Sequence, residues 1–205
     1  MAIKFQYNKT SLQQQQKALK MRVRALPTIK SKESALRVEV KRVKQEVEAL
    51  EEELRKSMAG YDSLVALWSE FDPTLVKVTD IKMQVRKVAG TPVPELDSVE
   101  FQVKPFSLMN SPAWYMDGTR LIQDMATIGI KAEVGRMELG ILEYNRRKTT
   151  QKVNLFEKVQ IPGYQDAIRK IKRFLEDEES LSKASQKIMR ENLERKAREE
   201  EQATL

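Results

Sequence analysis

Apolar residues recur at every seventh position from Leu12 onward: Leu12, Leu19, Leu26, Val40, Val47, Leu54, Tyr61 and Trp68, with Glu33 as the one polar member of the column. A companion column keeps step with it through Ile29, Leu36, Val43, Leu50, Leu64 and Phe71, interrupted by Gln15, Arg22 and Ser57. Two columns at alternating spacings of three and four make a narrow seam along one helix. That is the pattern of a left-handed coiled coil, not the broad stripe of a helix on a globular core. The chain is therefore predicted to be mainly α, and rod-like.

Composition agrees with a rod. Of 205 residues only 6% are aromatic and 33% are charged, which is thin material for a compact core. With 40% hydrophobic residues arranged in stripes, buried surface should lie between long helices whose other faces stay in water. No run approaches the ~18 apolar residues of a membrane span, and the start Met1-Ala-Ile-Lys-Phe-Gln lacks the apolar centre of a signal peptide. The expectation is a soluble, cytoplasmic protein without direct membrane insertion.

Cysteine and histidine are both absent. Their absence removes disulfides, thiol nucleophiles, most zinc sites and the usual general base at neutral pH. No Walker-type phosphate loop or dinucleotide fingerprint occurs, and the seven glycines are scattered. We therefore expect no catalytic residue, cofactor or metal. The net charge of +7 and pI near 9.5 invite a nucleic-acid reading, but the charge is interspersed. Residues 1–32 hold eight bases and no acid, whereas residues 176–201 hold nine acids against six bases. Opposite ends thus carry opposite bias and suit each other better than they suit DNA or RNA.

The first helix is predicted to run from Ser11, as its cap, to Phe71, where Asp72-Pro73 ends it. Pro27 lies inside the pattern without breaking its phase and should bend the helix. A second periodic stretch opens after Asp117-Gly118-Thr119 with Leu121, Met125, Ile128, Ala132, Gly135, Leu139 and Leu142. Gly129, Gly135 and Gly140 are expected where a partner backbone comes close. Pro162-Gly163 interrupts, and Tyr164, Ala167, Ile171, Phe174, Leu181 and Ile188 resume in a shifted register. Folding the two segments into a long antiparallel two-helix coiled coil pairs Phe71 with Thr119 near the turn and sets Pro27 opposite Gly163.

Between the helices the period changes to two. Ile81, Met83 and Val85 alternate with polar residues, as do Val99, Phe101 and Val103. These runs flank Gly90-Thr91-Pro92-Val93-Pro94 and predict a small β-hairpin with a long loop, followed by exposed bulk at Phe106, Leu108, Met109, Trp114, Tyr115 and Met116. A lone hairpin is marginal in water, so its apolar face should be covered by the helices or by another protein. The division is then an N-terminal shaft helix over 1–71, a hairpin and connecting region over 72–118, and a C-terminal shaft helix over 119–205.

The stretch Thr149-Thr-Gln-Lys-Val-Asn-Leu-Phe-Glu-Lys-Val-Gln-Ile-Pro-Gly-Tyr, with Ile168 and Ile171-Lys-Arg-Phe-Leu-Glu after it, closely resembles the signature of the D subunit of V-type and V/A-type ATPases. Leu26-Pro-Thr-Ile-Lys-Ser-Lys-Glu-Ser-Ala-Leu looks like that family's first-helix motif, and Val88-Ala-Gly-Thr-Pro-Val-Pro-Glu-Leu like its hairpin loop. The chain departs from the family at Glu33-Ser34, at Leu155-Phe156 and after Glu179, as a divergent bacterial member would.

The resemblance implies a rotor axle. The paired terminal helices would stand inside a hexamer of catalytic and non-catalytic subunits. The middle region would bind the small F-type stalk subunit and the funnel-shaped subunit on the membrane ring. On this reading Ile81, Met83, Val85, Val99, Phe101 and Val103 form a partner-binding face, and Arg146, Arg147, Lys148 and Lys152 face acidic loops of the hexamer. Pro27, Pro162 and Gly163 would kink the shaft. The rival reading is a freestanding coiled-coil adaptor or chaperone of the secretion type, which needs neither the hairpin loop nor the signature around Val153.

Overall fold

The computed structural model describes residues 3–61, 70–72, 74–106, 112 and 114–203. Four regular elements and one wide turn precede the last helix: α1 (Lys9–Tyr61), β1 (Val76–Val88), β2 (Thr91–Val103), α2 (Tyr115–Asn154) and a π-helical turn (Leu155–Gln160), followed by α3 (Ile161–Ala203). They divide into a unit of residues 31–150 and a unit of residues 1–30 with 151–205. The fold is mainly helical with a two-stranded antiparallel ribbon.

The seam holds along α1 as far as Ser57. Every position of the two columns from Leu12 to Ser57, polar members included, is buried or half-buried. The helix begins earlier than expected, because Asn8 rather than Ser11 caps it. The Asn8 side-chain oxygen accepts the Ser11 N–H at 2.6 Å, and the Ser11 hydroxyl reaches back to accept the Gln6 N–H at 3.2 Å. Ser11 is consequently a buried third-position residue. At the other end Glu70 and Phe71 already lie outside the helix, and the seam positions Leu64 and Trp68 lie outside the described residues. The Asp72 carboxylate accepts the Thr74 N–H at 2.8 Å and closes a local turn that helix continuation would not permit.

In the unit of residues 31–150, α1 and α2 run antiparallel. Leu36, Val43, Val47, Val93 and Leu142 form the core, with Val40, Val88 and Leu139 packed against it. Glu33, the polar break in the seam, accepts a bond from the Thr150 hydroxyl at 3.1 Å, and Arg136 pairs with Glu51 at 2.7 Å. Of Gly129, Gly135 and Gly140, only Gly135 is pressed. A Cβ there would sit 2.7 Å from a Val47 methyl, whereas one at Gly129 would meet Leu54 at 3.9 Å and one at Gly140 would meet nothing. Gly140 is thus not an interface glycine.

In the other unit Arg22 donates to Gln160 at 2.7 Å and stacks 4.5 Å over the Tyr164 ring, and Lys30 pairs with Glu157 at 2.8 Å. These partners come about a turn earlier along the second strand of the coil than expected. Pro27, lying between Arg22 and Lys30, is therefore level with the π turn and not with Gly163, which faces Ile3 instead. The N-terminal segment fills that place by folding back, with Tyr7 on Phe174 at 4.9 Å between ring centres.

Pro162 does not interrupt the helix. Its ring removes an N–H and crowds the carbonyl four residues back. The chain responds by widening the preceding turn, so that the Ile161 N–H bonds the Phe156 carbonyl five residues back. The wide turn absorbs an extra residue, and Ala167 and Ile171 return to the buried face. Beyond Leu175 all residues through Arg198 are exposed, and the helix continues to Ala203.

The second helix also starts early, at Tyr115, so Gly118 and Thr119 belong to its first turn. The ribbon turn is short. Ala89 and Gly90 both have positive φ, 47° and 75°, the mark of a two-residue type I′ turn. Thr91-Pro92-Val93-Pro94, expected as loop, is the first part of β2.

Candidate functional site

Two bulges decide what the ribbon presents. Pairing runs Val76 to Val103, Val78 to Phe101, Ile81 to Val99, Met83 to Leu96 and Val85 to Pro94, with register shifts at Thr79 on β1 and at Asp97 on β2. A strict alternation would have thrown Val76 and Val78 to the opposite face from Ile81, since a one-residue slip flips every side chain. Each bulge resets the phase, so all ten paired side chains share one apolar face. On β1 that face is open: Val85 is 72% and Met83 56% exposed, and Ile81 and Val78 are also exposed, as is Val103 at the end of β2. Val99 and Phe101 are half-buried. The six hairpin residues expected to act together are thus brought together, with Ile81, Met83, Val85 and Val103 exposed and Val99 and Phe101 half-buried.

The opposite face is polar along most of its length, where Lys82 pairs with Glu100, and apolar at the turn end, where Val88, Thr91 and Val93 sit on the helices. Arg86 fastens this end. It reaches Glu39 of α1 at 3.1 Å and Glu138 of α2 at 2.7 Å. Nothing in the sequence pattern singles out Arg86, because its partners lie on two other elements.

The electrostatics of this clamp are opposed. Glu39 is held below the usual carboxylate range, mainly by the Arg42 hydrogen bond and further by Arg86. Glu138 is pushed up, because burial outweighs the attraction of Arg86. A carboxyl whose folded pKa is raised withdraws stability as pH rises above its unfolded value, whereas a depressed one adds it. Glu138→Gln removes the withdrawal. The melting temperature of Glu138→Gln minus that of the parent should therefore increase between pH 4 and 7, and a difference that is flat or falls with pH would contradict this assignment.

Beside the ribbon, Phe71, Trp114, Tyr115 and Phe106 form a stacked group, with Phe71 to Tyr115 at 5.3 Å and Trp114 to Tyr115 at 5.0 Å between centres. Phe71 is buried and the other three are half-buried, so this bulk is largely internal; Met116 is exposed. Leu108 and Met109 lie outside the described residues.

The basic stretch is less uniform than its sequence. Arg147 is exposed and bonds Glu143 within its own helix at 3.3 Å, Lys148 lies 5.4 Å over the exposed Tyr144 ring, and Lys152 is exposed. Arg146 is half-buried, and its charge adds to the effect of Arg37 and Thr150 in holding Glu33 down. Alongside them Met137, Ile141 and Tyr144 make an exposed apolar stripe on α2. The sequence conceals that stripe, because its spacing of four and three is also what a buried seam would show. On α3 the exposed Leu181, Ile188, Met189 and Leu193 are similarly uncovered.

Among the described residues no cluster of acidic side chains could hold a metal ion, and no helix is long and apolar enough to cross a membrane. What the surface offers is apolar and charged contact area. Comparison with known proteins gives this surface a setting. The profile of the family described as the ATP synthase D subunit matches residues 11–191. The chain is 28% identical to the V-type ATP synthase D subunit of Borreliella burgdorferi over 197 residues, covering 95% of this chain and 98% of the relative. It is 29% identical to the V-type ATP synthase D subunit of Chlamydia trachomatis serovar L2 over 182 residues, 86% of this chain and 90% of that one. The Chlamydia felis protein of the same name is 26% identical over 181 residues, 86% of this chain and 87% of that one. With the profile spanning both long helices and the ribbon between them, the chain belongs to the family of ATP synthase D subunits.

Proposed function

We propose that this chain is the central-stalk rotor of a V-type rotary ATPase, a non-catalytic subunit that carries torque between ATP chemistry in a catalytic hexamer and ion translocation in a membrane sector. The family match over residues 11–191 is the observation that carries the reading. Paired helices with a continuous buried seam suit an element that must resist twisting. Torque transfer needs only that the rotor contact its surrounding subunits unequally, since unequal interaction free energy shifts their conformational populations.

On this reading the terminal helices contact the catalytic and non-catalytic subunits. Arg147, Lys148 and Lys152, with the partly buried Arg146, supply charge toward them. Pro27 and the π turn ahead of Pro162 and Gly163 sit at one level of one unit, where a local bend would make the axle eccentric. The apolar ribbon face, with Phe101 toward the end away from the turn, takes the small F-type stalk subunit, and the remainder of residues 72–118 meets the funnel-shaped subunit of the membrane ring. The protein works at the cytoplasmic side as a peripheral part of the complex.

Co-expression with the neighbouring operon products tests the assignment. The chain should co-purify with an ATP-hydrolysing head, and reversing Arg146, Arg147 and Lys148 together to glutamate should lower ion pumping per ATP hydrolysed while the isolated chain stays folded. A chain that purifies alone, as a secretion-type adaptor would, contradicts the proposal.

A further inference from the structure

Residues 77–85 of β1 are exposed without a break, whereas β2 is buried or half-buried over most of its first half. A ribbon of two strands has two outer edges, and here they are unequal. Since Val88 and Thr91 flank a two-residue turn as a hydrogen-bonded pair, alternation points the backbone groups of Met83, Val85 and Lys87 outward on β1, and those of residues 92, 94 and 96 outward on β2. Pro92 and Pro94 remove two of the three outward donors on the β2 side, and the bulge at Asp97 ends that edge. The β2 edge is closed to strand addition. The β1 edge keeps all its donors and stays regular from the bulge at Thr79 to the turn.

Charge says what can pair there. β1 carries four bases, Lys77, Lys82, Arg86 and Lys87, against the single acid Asp80. A second copy of this chain is a poor occupant, because the symmetric antiparallel registers centred on Lys82 and on Gln84 set Lys82 against itself or against Arg86. Like charges directly opposite destabilise a strand pair, and edge lysines are a common device against self-association. An acidic strand meets no such penalty.

We propose that the outer edge of β1, residues 81–87, accepts an extended segment of a neighbouring subunit in which acidic and apolar residues alternate, extending the ribbon to three strands. This rests on the reading of the chain as one subunit of a larger complex. The incoming backbone bonds Met83, Val85 and Lys87. Its apolar side chains continue the open row of Ile81, Met83 and Val85, and its acids lie beside the exposed Lys82 on the polar face, Arg86 being held by Glu39 and Glu138.

Amide hydrogen exchange on the full chain, free and within the co-expressed complex, tests the proposal. Exchange at Met83, Val85 and Lys87 should slow by about tenfold or more in the complex, while that at Thr91, Val93 and Glu95, already in the ladder, stays unchanged. Val85→Pro copies Pro94 opposite it, removing an outward donor but no bond between β1 and β2. It should return Met83 and Lys87 to the free-chain rate, and Val85→Ala should not. Unchanged exchange along β1 in a complex that the chain has joined overturns strand addition and leaves the rotor reading standing. Protection that survives Val85→Pro also overturns it, showing a partner packed on the face alone. A free chain that is dimeric by native mass and already protected along β1 would give the edge to a second copy. A chain that joins no complex overturns the rotor reading and, with it, this one.

Discussion

Leu142→Ala is expected to lower the stability of the protein by about 3 kcal/mol, with a matching drop in the denaturant midpoint. Leu142 and Leu36 are fully buried and belong to the small core of the unit of residues 31–150, where both helices meet the ribbon. The removed atoms lose their transfer energy and leave a cavity that Val43, Val93 and Leu139 cannot collapse into without moving backbone from three elements. Leu181→Ala provides the contrast. Leu181 is 72% exposed, so its truncation should change stability by no more than about 0.5 kcal/mol. Equal effects at the two leucines would mean that the core is not where the heptads place it.

Gly135→Leu should cost about 2 kcal/mol, whereas the same change at Gly140 should be neutral or stabilising by up to about 1 kcal/mol. Both substitutions gain roughly 1 kcal/mol of helix propensity. Only one meets an obstacle. A Cβ at Gly135 would stand 2.7 Å from the methyl of Val47, which is itself buried and β-branched and has few other rotamers, while a Cβ at Gly140 meets open space. Thermal melts of the two variants decide the matter through the sign of their difference. A Gly135→Leu variant as stable as the parent would show that α1 and α2 do not approach as closely as described.

The seam is the most legible feature of the sequence. A strict seven-residue repeat over α1 specifies which face is buried whatever lies against it, so even Gln15, Arg22, Glu33 and Ser57 appear at the interface where their positions put them. The partner's register is less legible. Hydrophobic periodicity repeats every two turns, and a shift of the second helix by about one turn changes the pairing without changing the pattern. Periodicity therefore sets Pro27 against Gly163, whereas the contacts of Arg22 and Lys30 bring residues 155–160 to its level, and Glu33 with Thr150 departs from the same register before the π turn. Local chemistry produces the other differences. Asn8 and Ser11 are both capping residues, and only the bonds that the Ser11 N–H donates to Asn8 and the Gln6 N–H donates to Ser11 choose between them. A glycine followed by two closely spaced prolines reads as a long loop, yet Pro92 and Pro94 fall at outward-facing positions of an edge strand, which cost no ladder bond. The six-residue hairpin face is visible as alternation. The two bulges that gather ten residues on that face are not, because Thr79 and Asp97 carry no signal until the strands are paired. Arg86 is hidden for a similar reason, with its partners Glu39 and Glu138 far away along the chain.

A rotor must turn inside its complex. Because the sequence has no cysteine, Ser98→Cys on the exposed side of β2 gives a single attachment point for a bead or fluorophore. With the catalytic head immobilised and ATP supplied, the label should rotate continuously in one direction, at a rate that follows ATP concentration. A label that stays fixed relative to a head actively hydrolysing ATP would contradict the account.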